Sequence, residues 1–113
     1  MNHERLKSYE LLMEFAKKMP NILNRLPKGN AYLEDQLKRA FSSAALNVAE
    51  GNGRTSKRER NRFFDFSIGS IAEVSSIMDL FMAYGYISRI ESIESKNLLN
   101  RAIWYLGRLK DAI

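Results

Sequence analysis

The spacing of the apolar residues limits this chain's folding options more than any other feature. Leu33, Leu37, Phe41, Ala44 and Val48 follow one another at four, four, three and four residues. That is the period of one face of an α-helix. The same period recurs in three other stretches. Leu6, Tyr9, Met13 and Ala16 run beside Leu12, Phe15, Met19 and Ile22. Phe63, Ser67, Ser70, Val74, Ile77 and Phe81 run beside Phe64, Ile68, Ile71, Met78 and Met82. Leu99, Ala102, Ile103, Leu106, Leu109 and Ile113 carry the last stripe, with Trp104, Tyr105 and Gly107 beside it. No stretch alternates apolar and polar residues over a useful length. The pattern predicts helices over about 4–25, 31–50 and 56–84 and from Ser88 onward. The breaks between them are short: Leu26-Pro27-Lys28-Gly29-Asn30, Gly51-Asn52-Gly53 and Gly85. Short connections make successive helices antiparallel neighbours. The expected fold is therefore all-α, an antiparallel up-and-down four-helix bundle, with one domain over residues 1–113.

Local signals refine this. Pro20 lies inside the first pattern, lacks an N–H and crowds the carbonyl of Ala16, which predicts a kink or a break. Gly51 and Gly53 are expected to supply positive φ where the second helix stops. Ser56 with Glu59, and Ser88 with Glu91, have the spacing of capping boxes. The third helix is long and apolar around much of its circumference. One neighbour cannot cover it, so it is expected at the centre of the fold or against another subunit.

The net charge is +5, and its location narrows the function. From Lys38 to Arg62 there are seven basic residues, Lys38, Arg39, Arg54, Lys57, Arg58, Arg60 and Arg62, against two acids, Glu50 and Glu59. The rest of the chain carries eleven of each sign. A compact excess of this kind attracts polyanions, of which nucleic acid is the commonest. Cations at a helix N-terminus also oppose the helix dipole, at about a few tenths of a kcal/mol each, a penalty that an anionic partner removes. Lys38, Arg54, Lys57, Arg58, Arg60 and Arg62 are the candidate nucleic-acid contacts, with Arg54 positioned by the turn. The bland alternative is a solvated helix start that keeps the protein soluble.

A polar stripe, Arg39, Ser43, Asn47 and Glu50, lies beside the core face of the second helix. Joined by Glu73, it is read as a hydrogen-bond network that fixes helix register, with direct ligand contact as the alternative. Gly51, Gly53 and Ser70 belong to the same architecture. The chain has no cysteine, so disulfides, thiolate metal sites and cysteine nucleophiles are excluded. The one histidine, His3, has no metal-binding partner set, and the pairs Glu10/Glu14 and Glu91/Glu94 lack the histidine that a di-iron bundle requires. No catalytic residue, metal or cofactor is expected, and the protein is read as a non-enzyme. The aromatics Phe63, Phe64, Phe66, Tyr84, Tyr86 and Trp104 could stack on bases but are assigned to packing. No signal peptide and no apolar run approaching ~20 residues are seen. A cytoplasmic protein without a membrane partner is expected.

The turn also carries a resemblance. Arg39-Ala40, Ser43, Asn47-Val48-Ala49-Glu50-Gly51, Gly53-Arg54, Ser56, Arg62-Phe63 and Gly69-Ser70 with Glu73 resemble the pattern of the proteins named after intervening sequences in 23S ribosomal RNA genes. Tyr9-Glu10-Leu11 and Leu26-Pro27 are similar to that family's opening helix and loop. The resemblance implies a four-helix bundle assembled as a ring-like homopentamer without enzymatic activity. Some members are encoded inside ribosomal RNA genes. Others resemble the accessory variability determinant of diversity-generating retroelements, a basic pentamer that works with a reverse transcriptase and its template RNA. The expected partners are therefore further copies of the chain, RNA or DNA, and a reverse transcriptase. A protein-binding scaffold without nucleic acid is the rival class.

Overall fold

The structure is a computed structural model describing residues 3–111, with side chains from Leu6 to Lys110. It contains four helices: α1 (His3–Asn24), α2 (Ala31–Asn52), α3 (Lys57–Ala83) and α4 (Arg89–Asp111). Among the described residues there is no strand. The expected Ile113 contact lies outside the described residues. The helices pack in a closed square, α1 on α2, α2 on α3, α3 on α4 and α4 on α1, with α2–α3 the most extensive pair and α1–α2 the sparsest. The result is a rod of 46 × 24 × 19 Å.

Cross-helix bonds fix the antiparallel register. The buried Ser67 hydroxyl donates to the Ala44 carbonyl at 2.8 Å, joining α3 to α2. Lys96 meets Asp79 at 2.7 Å between α4 and α3, and Lys18 meets Glu94 at 3.5 Å between α1 and α4. The start of α1, the end of α2, the start of α3 and the end of α4 therefore share one pole.

The core is one cluster drawn from all four helices. Leu11, Leu12, Phe15, Met19 and Ile22 of α1 meet Leu33, Leu37, Phe41, Ala44 and Val48 of α2. Phe64, Ile71, Val74, Ile77, Met78 and Phe81 of α3 face Leu98, Leu99, Ala102, Leu106 and Leu109 of α4. The Phe15 and Phe41 rings lie 5.4 Å apart between α1 and α2. At about 0.8 kcal/mol per buried methylene, this contiguous core is the main stabilising term.

Three expectations need correction. α1 continues through Pro20 to Asn24 without a break. Pro20 is exposed while Met19 and Ile22 on either side are buried, so core burial holds the helix across the lost hydrogen bond. Gly51 and Gly53 do not adopt positive φ; among the described residues only Gly29 and Gly85 do. α2 runs two residues further than expected, to Asn52, and Gly53 caps it at φ −85°. Finally, α3, at 27 residues, is long and apolar enough to cross a membrane by length and composition, contrary to the sequence reading. Its inward residues form the core, and much of the remainder faces outward, including Phe66, Leu80 and Met82.

Candidate nucleic-acid interface

The α2–α3 turn is built by packing as much as by hydrogen bonding. Gly51 is buried in the last turn of α2, directly against α3. A Cβ there would stand 2.6 Å from the Phe64 ring and 3.3 Å from the Phe63 Cβ. Glycine is needed for this close approach of two helices and not for its torsional freedom. The Ser56 hydroxyl then accepts the Glu59 N–H at 3.3 Å and starts α3.

The cations at the turn have distinct surroundings. Arg54 pairs with Glu50 at 2.9 Å, and its guanidinium lies 5.0 Å from the Phe63 ring centre. Arg60 donates to the Thr55 carbonyl at 2.6 Å and the Arg54 carbonyl at 3.5 Å, so it ties down the turn itself. Arg62 lies over the exposed Phe66 ring at 5.6 Å. Lys57 and Arg58 are exposed on the first turn of α3. Arg58 and Arg62 flank a shallow depression shared with Asn61, Asp65 and Phe66.

Lys38 does not join this group. It pairs with Glu34 at 3.1 Å, and helical rise puts it about 20 Å along α2 from Asn52. Arg39 is likewise far from the turn and faces Asp35 at 4.0 Å. Sequence proximity grouped them with the turn, but a straight helix separates them. The fold compensates from elsewhere. It brings Lys7 of α1 and Arg101, Arg108 and Lys110 of α4 to the same half of the rod, where Lys110 pairs with Asp65 of α3. Among residues 6–110, the half containing the turn (6–13, 42–69, 100–110) holds nine basic and four acidic residues. The other half holds eight and seven. The basic surface is thus a whole pole, and the antiparallel topology already expected from the sequence was the signal for α4's share of it.

The polar stripe divides into two parts. Ser43 and Ser70 hydroxyls meet at 2.8 Å across α2–α3, and the Asn47 amide donates to the Ser43 carbonyl at 2.8 Å and hydroxyl at 3.2 Å. Arg39 and Glu50 do not pair with each other, because each finds a partner four residues away on its own helix. Arg39 and Glu73 instead line an open groove of about 540 Å³ with Tyr32, Gln36, Ser43 and Ser70. Among the described residues, no cluster of His, Cys, Asp and Glu could hold a metal ion.

Comparison with known proteins agrees with the four-helix fold. A profile of the 23S rRNA-intervening sequence protein family matches residues 4–107. The chain belongs to that family. The fold of this intervening-sequence family protein is also that of a solved structure, a protein of unknown function from the S23 ribosomal protein family of Bacteroides thetaiotaomicron. The two superpose with a TM-score of 0.85 at 16% identity, over 96% of this chain and 99% of the other. No curated protein matches the family member's sequence.

Proposed function

We propose that this protein is a non-catalytic, cytoplasmic, self-associating bundle that binds RNA through its basic pole, as an accessory to a reverse transcriptase–RNA complex. The observation that carries this reading is the convergence of four helix ends on one pole, with nine basic residues against four acids. Lys57, Arg58 and Arg62 project from the first turns of α3, where free N–H groups and the helix dipole add to the field. Arg54 and Arg60 shape the turn that presents them. The reverse transcriptase and the pentamer follow from the family resemblance, and the absence of a membrane partner from the basic cluster lying at a turn and not along one polar helix face. A role tied to ribosomal RNA loci is the second reading, favoured by the family match itself.

Charge reversal at Lys57, Arg58 and Arg62 together tests the interface. Fluorescence anisotropy against a structured RNA should show wild-type affinity falling steeply with salt, with a log–log slope of about −3 if three phosphates are neutralised. The triple variant should lose binding while its helical circular dichroism is unchanged. Retained binding by the variant would place the interface elsewhere.

A further inference from the structure

We propose that Trp104, backed by Arg108 and flanked by Arg101, is a base-stacking platform that makes the basic pole selective for single-stranded nucleic acid. This rests on the nucleic-acid reading of that pole. Trp104 is the chain's sole tryptophan, and it is 54% exposed on the outer face of α4. The Arg108 guanidinium lies 4.9 Å from its ring centre, and Tyr105 meets it edge-on at 4.9 Å. The indole is thus packed on two sides by its own helix and still about half exposed.

The surroundings choose the occupant. The charges nearest along α4 are cations: Arg101 lies one turn before Trp104 and Arg108 one turn after. The partner must carry negative charge beside a flat apolar face. A docked acidic helix would meet that charge requirement, but it also needs a continuous apolar ridge at three- and four-residue spacing. The outer face of α4 lacks one. Its other exposed large apolar residues, Ile90 and Ile93, lie about 16 Å or more down the helix from Trp104, and Asn97, Asn100 and Arg101 intervene. One exposed aromatic between cations, with half-buried Tyr105 behind it, suits a nucleobase with phosphates on either side. Such a base must be unpaired, because a duplex keeps its ring faces stacked inside.

The test uses the unmodified chain and its own fluorophore. Oligo(U) and a duplex RNA of equal length are titrated at low salt while anisotropy of the labelled RNA and Trp104 emission are followed together. Oligo(U) should quench Trp104, and Trp104→Ala should weaken oligo(U) binding on the order of tenfold. Duplex affinity and the salt slope should stay unchanged, since no phosphate contact is removed. Trp104→Phe should recover part of the loss, and helicity should match wild type in both variants. Binding of oligo(U) that leaves Trp104 emission and the Trp104→Ala affinity unaltered overturns the platform and leaves the basic-pole reading standing. No binding of either RNA at low salt overturns the pole reading and the platform with it. Quenching by an acidic protein in the absence of any effect of oligo(U) assigns the face to a protein and also overturns the platform.

Discussion

At the scale of single residues, the two turn glycines do different work. Gly51 has no room for a side chain: its missing Cβ would overlap the ring of Phe64, itself only 1% exposed. Gly53 has nothing nearer than the Glu50 carbonyl at 3.5 Å, and its φ of −85° suits any L-residue. Gly51→Ala should therefore destabilise the protein by about 1–3 kcal/mol, the usual cost of overpacking. Gly53→Ala should be neutral or stabilising by up to about 1 kcal/mol, because it restricts the unfolded chain. Urea melts of both variants check this; equal losses would refute the assignment. The sequence showed that this turn was special but not why. A glycine's spacing says nothing of what packs against it, and Phe64 comes from the other side of the turn. Trp104 and Phe66 illustrate the same limit. Helical period locates them beside a core stripe, and only the neighbouring helices decide that they face out, at 54% and 48% exposure.

At the scale of elements, capping was the most legible feature. Ser88 and Glu91 make both bonds of the box: the Ser88 N–H donates to Glu91 at 2.9 Å, and the Glu91 N–H to the Ser88 hydroxyl at 3.1 Å. Less visible was the reach of Arg25, from just beyond α1, to the same carboxylate, one arm of it at 3.1 Å. The Arg25 hydrogen bonds, followed by the Ser88 N–H, hold the Glu91 carboxyl down to about 2. A lowered folded-state value adds stability above the ordinary carboxylate range and loses it as pH falls toward the folded value. Wild-type melting temperature should thus fall between about pH 5 and pH 2 more steeply than that of Glu91→Gln, which lacks the titrating group. Parallel curves would exclude this pair as a source of acid sensitivity. The accommodation of Pro20 leads to a second expectation. α1 lacks one N–H to the Ala16 carbonyl there, so Pro20→Ala should raise stability by on the order of 1–3 kcal/mol in a urea melt. A loss would mean that Pro20 stabilises α1 by constraining the unfolded chain.

At the scale of the whole molecule, the outward face of α2 and α3 exposes several large apolar side chains. Tyr32 and Leu46 on α2, and Leu80 on α3, are 64%, 66% and 42% exposed. Tyr32 lines the groove between Arg39 and Glu73, Leu46 and Leu80 follow seven residues after Arg39 and Glu73 on their helices, and the exposed Gly69, Ala72 and Ser76 leave room for a close neighbour. The apolar breadth of α3 pointed to a further partner from the sequence, whereas the groove's outline needed both helices in register. If copies of the chain cover this face, the protein should sediment well above 13.1 kDa, near 66 kDa for five copies. Leu46→Glu with Leu80→Glu should return it to a monomer with its helicity intact, since neither side chain belongs to the core cluster. A wild type sedimenting as one chain would refute self-association through any face. If the chain both self-associates here and binds RNA at its basic pole, the two surfaces should be coupled. Several basic poles on one assembly raise the effective concentration of each for a long RNA, so the monomeric double variant should bind it at least tenfold more weakly. It should bind a short oligonucleotide, which reaches only one pole, as wild type does. A ratio that stays constant between long and short RNA would mean that assembly and binding are independent.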